Sequence, residues 1–352
     1  TAGGHSPEYL DRSSRVSGDA RPGSTFASMT SLPRSPQAVV VEIVRSGFVE
    51  GHHYGSVVAL SPDGRVEWSV GDVASPVLPR SCNKPLQAVA MLEAGLDLPP
   101  DLLALACASH SGEQMHLDGV RRLLERIGLT EDDLQCPVDW PMIDSVRDEA
   151  LRAGAKPSHL FMNCSGKHAA MLATCVAKGW DTSTYLDPAY PLQQQILETF
   201  SRLTGEPVLT VAVDGCGAPL LSTSLTGLAQ AFRTLAVATE GPERAVAEAI
   251  RSHPELVSGS TRDELALLRA IPGAIGKAGA EACYAVALAD GRAFALKIDD
   301  GAARARPVVM AAALERSGLL DLPGVDGDAV RRTGKHVLLG GGVPVGEIRA
   351  AF

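Results

Sequence analysis

This 352-residue sequence predicts an α+β fold. Three observations carry that reading: Val-rich, turn-bounded strand patterns lie near both chain ends, helix-period patterns fill the middle, and no strand–helix units alternate. An antiparallel sheet built from N- and C-terminal strands, packed with helices and joined to a mostly helical middle region, satisfies all three. Residues 1–35 are rich in Gly, Pro and Ser and are expected to form a disordered extension. Residues 36–352 are expected to form one unit, with its sheet part at about 36–82 and 260–352 and its helical part at about 83–259.

In chain order, Ala38 to Arg45 and Tyr54 to Ser61 read as strands. The turn Ser61-Pro62-Asp63-Gly64 leads to a third at Arg65 to Val70. From Asn83 to about Ala238 the pattern is helical: Leu117, Val120, Leu124 and Ile127 share one face, as do Leu192, Ile196, Phe200 and Leu203 behind Pro191. Strand character returns at Ala282 to Ala289 and Ala293 to Ile298, joined by Asp290-Gly291-Arg292, a tight-turn sequence. The late Gly340 to Gly346 stretch lacks dinucleotide spacing and follows no βα unit, and the chain has no Walker loop, zincin helix or Gly-x-Ser-x-Gly elbow.

Composition removes further classes. Lys plus Arg number 32 against 41 Asp plus Glu, a net charge of −9, and no basic run is dense enough to neutralise a phosphate backbone, so nucleic acid is not an expected partner. The longest apolar run, Ala282 to Ala289, falls well short of the roughly 18 to 20 residues that span a bilayer, so no membrane is expected either. Seven cysteines, an odd number in apolar or Gly-rich contexts, suit a reducing compartment, and a cytoplasmic location is expected.

Four stretches could carry chemistry. In Arg80-Ser81-Cys82-Asn83-Lys84-Pro85, a Ser-x-x-Lys spacing puts hydroxyl and amine on the same side of a helical turn. Pro85 lacks an N–H and so belongs in a first turn. For Lys84 to act as a base near neutrality its pKa must fall by roughly 3 units from about 10.4, and burial or a cation such as Arg80 pushes that way. The plainer reading makes Ser81 a cap and Lys84 a solvated first-turn residue.

In Cys107-Ala108-Ser109-His110-Ser111-Gly112-Glu113, polar groups end an apolar helix, and Ser111 could simply cap the next one. Met162 to His168 and Val213 to Gly217 together offer Cys164, His168 and Cys216 as a Cys₂His zinc set, without the usual Cys-x-x-Cys spacing. Two buried free thiols, or a Cys164/His168 nucleophile pair, are the alternatives. Last, small residues around Lys277 in Gly276 to Glu281 allow close backbone approach and burial of its amine.

In this order, with Val49-Glu50-Gly51-His52-His53-Tyr54-Gly55 ahead of them, these stretches resemble the rhizobial-type (class 3) L-asparaginase family from about Val39 onward. The resemblance implies a fold similar to serine β-lactamases and serine-dependent glutaminases, and hydrolysis of L-asparagine to L-aspartate and ammonia. By motif, it makes Ser81 the nucleophile paired with Lys84, and Ser109 the partner of Lys277 in a second Ser-Lys pair. It makes Cys164, Lys167 and Cys216 zinc ligands, with His168 and Asp214 nearby and Arg80 flanking the nucleophile. It also implies a homodimer. Arg80, Asp214, His53 and Arg262 are the candidate ligands of the substrate's charged groups.

Three other readings compete. Cys82, Asn83 and Ala282 depart from the family pattern and leave glutamine or another small amide open as substrate. A β-lactamase or peptidoglycan-directed enzyme shares Ser-x-x-Lys, but the chain has no Ser-Asp-Asn and only Arg332-Thr333-Gly334 in place of Lys-Thr-Gly. A non-catalytic zinc or small-ligand binding protein predicts metal without ammonia release.

Overall fold

A computed structural model describes residues 38–352, so the extension expected at 1–35 lies outside the described residues. Ten strands are described: β1 (Ala38–Arg45), β2 (Phe48–Leu60), β3 (Val66–Val70), β4 (Val211–Val213), β5 (Pro219–Leu221), β6 (Ile275–Ala278), β7 (Cys283–Ala287), β8 (Ala293–Ile298), β9 (His336–Gly340) and β10 (Val343–Ala350). The helices are α1 (Lys84–Glu93), α2 (Pro100–Ala106), α3 (Gln114–Arg126), α4 (Asp144–Arg152), α5 (Ser165–Lys178), α6 (Pro191–Thr204), α7 (Leu225–Val237), α8 (Gly241–Ser252), α9 (Pro254–Val257), α10 (Asp263–Ala270), α11 (Ala305–Arg316) and α12 (Gly327–Thr333). A 3₁₀ turn at Arg80–Asn83 runs directly into α1.

The main sheet is antiparallel throughout and ordered β6-β7-β8-β2-β1-β10-β9, with β3 also paired to β2. The N-terminal strands β1 and β2 lie side by side at its centre, flanked by C-terminal strands, β8 beside β2 and β10 beside β1. The sheet drawn from both termini is thus present, packed with helices. Every residue of β7 is buried, so both faces are covered there. Helix α7 packs on β2, β7 and β8, and α11 packs on β1, β2, β8 and β10. The polar half of β2, with its Glu50, Gly51, His52 and His53, carries no apolar alternation. It is strand because β1 pairs along it from Ala38↔Gly55 to Arg45↔Phe48.

The middle region is helical, as its periodicity requires, except for the short β4–β5 hairpin. Helices α1, α2, α5, α6 and α8 pack on one another in a core of Leu, Ala and Met side chains. Gly166, in the first turn of α5, permits a close approach: a Cβ there would lie 2.6 Å from the Leu105 carbonyl oxygen of α2. That contact draws the start of α5 against the end of α2. The Gly340 to Gly346 stretch is the β9–β10 turn, where Gly341 and Gly342 take φ of 57° and 84°.

Candidate active site

Five chain segments meet beside the end of β6: the 3₁₀ turn and start of α1, the loop after α2, the start of α5, the β4–β5 turn, and the start of α10. Close packing of backbone makes this possible. A Cβ on Gly279 would sit 2.7 Å from the Pro79 carbonyl oxygen and 3.3 Å from the Ser81 nitrogen, so only glycine lets the β6–β7 connection lie against the Ser81 turn. Cys82 is wholly buried behind it, and its thiol donates to the Lys277 carbonyl oxygen at 3.0 Å.

Ser81 is half-buried at the head of this turn, while Lys84, one turn on, is buried with Pro85 in the first turn of α1 as expected. The Lys84 amine donates to the Ser109 hydroxyl at 3.0 Å and to the Ala108 carbonyl oxygen at 2.5 Å. Burial first, then the charges of Lys277 and Lys167, lower its pKa to about 8 against the pull of the nearby Cys164 sulfur. Lys277 is also wholly buried, and its amine donates to Glu264 Oε1 at 3.3 Å and to the Ala278 carbonyl oxygen at 2.6 Å. Neither expected serine–lysine pair, Ser81 with Lys84 or Ser109 with Lys277, is hydrogen-bonded here. The hydrogen bonds in this conformation link Lys84 to Ser109, and Lys277 to Glu264.

Ser109 is held from several sides. Its N–H donates to the Val257 carbonyl oxygen at 3.0 Å, and its own carbonyl accepts from Arg262 Nη1 at 2.9 Å. The next N–H, of His110, donates to the Asn163 carbonyl oxygen, and the His110 ring bonds Ser165 Oγ at 2.9 Å. The Gly112 N–H donates to His110 Nδ1, so the ring proton sits on Nε2 and the loop is tied to the start of α5. Ser111 caps nothing: its hydroxyl donates to the Ser258 carbonyl oxygen, and the residue before α3 is Glu113.

The residues expected to bind substrate fall into two groups. Arg80 takes a φ of 52° and donates from Nε to Asp214 Oδ1 at 2.7 Å, across from Glu281 at 3.8 Å. Glu281 and Ala282 also have φ near +50°, so three non-glycine residues in left-handed conformations, each costing about 1–3 kcal/mol, cluster beside Ser81. His53 is buried and tied to Asp300 at 2.6 Å through Nδ1, while Arg304 donates to its Nε2. Its two nitrogens are thereby engaged by the loop after β8. Arg262 is engaged with Ser109 and lies 3.6 Å from Glu264.

At the start of α5 and the β4–β5 turn, the Cys164 and Cys216 sulfurs and a ring nitrogen of His168 lie within 4.8 Å of one another, all buried. His168 Nδ1 bonds the Tyr185 hydroxyl at 2.8 Å, leaving Nε2 buried with no hydrogen-bond partner. Lys167 donates to Cys216 Sγ at 3.0 Å. Hydrogen bonding from the Cys164 thiol, with the Lys167 charge, holds the Cys216 thiol far below the ordinary thiol range. Burial lowers the His168 ring to about 4. A thiolate, a second thiol, a neutral imidazole with a free nitrogen and an outer partner fixing its other nitrogen are what zinc coordination asks for. The donor set fits that ion.

Two residues of this site escaped the sequence reading. Glu264 stands in the first turn of α10, where an acid ordinarily reads as a solvated dipole partner. Tyr185 lies in a loop with no motif around it. Only the apolar run that follows Glu264, Leu265 to Leu268, hints at its burial.

Serine, lysine and carboxylate side chains thus gather beside the Gly279 turn, with both lysines and Glu264 buried. The chain belongs to the L-asparaginase II family, whose profile matches residues 41–350, and it is thereby an amidohydrolase. No curated protein matches it. Solved structures similar to it include a β-lactamase from Mycobacterium bovis, at 14% identity and a TM-score of 0.36, covering 74% of this chain and 94% of that one. Mglu in its native form matches at 16% and 0.34, covering 76% of this chain and 66% of Mglu. A Bacillus glutaminase matches at 11% and 0.32, covering 75% and 91%. At these scores the likenesses carry no argument for the site. Among the described residues, no helix is long and apolar enough to cross a membrane.

Proposed function

We propose that this protein is an asparaginase that hydrolyses L-asparagine to L-aspartate and ammonia, with Ser81 as nucleophile. One observation carries the reading: the buried Lys84 amine, its pKa brought down to about 8, sits one helical turn from Ser81 and bonds the Ser109 hydroxyl at 3.0 Å. An amine so placed is a base that works near neutral pH.

In the reaction, neutral Lys84 takes the Ser81 hydroxyl proton as Oγ attacks the side-chain amide carbon. Backbone N–H groups at the head of the 3₁₀ turn, Ser81 N–H among them, stabilise the oxyanion. The proton passes through Ser109, beside Lys277, to the departing nitrogen. Ammonia leaves, Ser81 carries a β-aspartyl ester, and a water deprotonated by the same amine hydrolyses it. Arg80 and Asp214 are suited to the substrate's α-carboxylate and α-ammonium, with Arg262 and His53 as supports for the surrounding loops.

Cys164 and Cys216 would hold zinc with Lys167 or His168. When bound, the ion supplies a fixed positive charge that pins the α5 start to the β4–β5 turn. A homodimer in the cytoplasm completes the proposal, consistent with seven buried cysteines that are all free among the described residues.

The test is ammonia release from L-asparagine and, side by side, from L-glutamine, with a Ser81→Ala control. Release from asparagine that vanishes in the control, with folding and zinc content intact, is expected. Turnover by the Ser81→Ala protein sinks the assignment. Preferred release from glutamine moves it to a glutaminase.

A further inference from the structure

Two buried lysines, Lys84 and Lys277, interact with one another, and their surroundings differ in one respect. Both acceptors of the Lys84 amine are neutral oxygens, those of Ala108 and Ser109. Lys277 instead meets a carboxylate. Glu264 is wholly buried, so its charge has no solvent to stabilise it and must find cations within the protein. Its Oε1 accepts from the Lys277 amine at 3.3 Å and from the Ala278 N–H at 2.7 Å. Its Oε2 accepts no hydrogen bond and lies 3.6 Å from Arg262 Nη2, while Nη1 of the same guanidinium holds the Ser109 carbonyl at 2.9 Å. One carboxylate thus ties the β6 lysine to the arginine that fixes the Ser109 loop.

We propose that Glu264 is a positioning residue that keeps Lys277 an ammonium, so that the neutral-amine work of the site falls to Lys84. This rests on the serine–lysine reading of the site. A carboxylate in contact favours the charged form of a lysine, and a lysine so charged disfavours a second charge close by. Burial and the Arg262 charge leave Lys277 below the ordinary lysine value, Glu264 opposes them, and the Lys277 charge is one of the causes that bring Lys84 down.

The groups facing Lys277 are few. Cys82 comes from the 3₁₀ turn, Cys107 from the end of α2, Cys283 and Tyr284 from β7, Glu264 and Arg262 from α10 and its cap, and Lys84 from α1. The buried residues of α7 and α8, which also pack on β6, are all apolar. Glu264 is the carboxylate in this set.

The experiment measures kcat and KM against pH for the full chain, Glu264→Gln and Glu264→Asp, and follows Lys277 by NMR of labelled lysine in the same proteins without substrate. Glu264→Gln keeps an acceptor for the Ala278 N–H but removes the charge. Its kcat is expected to fall by about tenfold or more at nearly unchanged KM, with the alkaline limb of kcat moved down by about one pH unit as Lys277 loses its proton earlier. Glu264→Asp is expected to return the limb towards its original position. A fall in kcat with no movement of the limb means Glu264 only supports the fold, and overturns the proposal.

In the unsubstituted protein the NMR titration is expected to show Lys277 charged where Lys84 is already neutral. The reverse order overturns the proposal even if Glu264→Gln does not fold. Absence of amide hydrolysis by the unsubstituted protein counts against the asparaginase reading alone, because the lysine titration order is read without substrate.

Discussion

Lys84 exchanges stability for reactivity. Its folded pKa of about 8 lies below the roughly 10.4 of an unfolded lysine, so between those values the unfolded chain binds more protons than the folded one. Below pH 8 the site opposes folding by roughly 3 kcal/mol, and the opposition is relieved as pH rises from about 8 to about 10. Lys84→Met is therefore expected to lower kcat by about 10²–10⁴-fold and yet to raise stability at pH 7 by about 1–3 kcal/mol, as denaturant unfolding reports. The protonated amine cannot act as a base, so kcat/KM of the unsubstituted protein is expected to rise with pH through about 8. A flat profile from pH 6 to 9 counts against Lys84 as base. Lys84 was legible because Ser-x-x-Lys before a proline is a local pattern. Glu264 was not, because nothing local distinguishes a buried first-turn acid from a solvated one.

At the scale of elements, the site is a set of termini and turns brought together by small residues. The β6–β7 connection touches the Ser81 turn through Gly279, so Gly279→Ala must push the Pro79 carbonyl aside. It is expected to cost about 1–3 kcal/mol of stability and most of the turnover, seen by thermal unfolding and ammonia release. Recovery of full activity would mean that the turn adjusts freely. The start of α5 and the β4–β5 turn meet through Cys164, His168 and Cys216. Cys164→Ser or Cys216→Ser is expected to abolish a stoichiometric zinc content measured by elemental analysis. Helices α3 and α6 were legible from their apolar faces. The three-residue strands β4 and β5 were not, because so few residues cannot show a period, and their pairing exists only through contact with each other.

Across the whole molecule, the sheet closes one chain end on the other. β10 lies between β1 and β9, pairing Val41 with Ala350 and Ile348 with His336. Removing residues 343–352 leaves β9 unpaired and exposes one edge of β1, which keeps only β2. The shortened chain is expected to lose cooperative thermal unfolding and ammonia release together, and a sharp transition in it would show that β10 is dispensable.

The sequence by itself determined which groups exist and in what order: the serines, lysines and thiols, the helix that follows Ser81, and strand-forming segments at both ends. Periodicity and turn chemistry are local, so they survive reading along the chain. Tertiary structure alone decided that Lys84 bonds Ser109, that Glu264 is buried against Lys277, and that Arg80 meets Asp214 from 134 residues away. Burial and ion pairing are sums over neighbours drawn from distant parts of the chain. Protonation follows burial and pairing, so which amine is free to act is a property of the folded molecule.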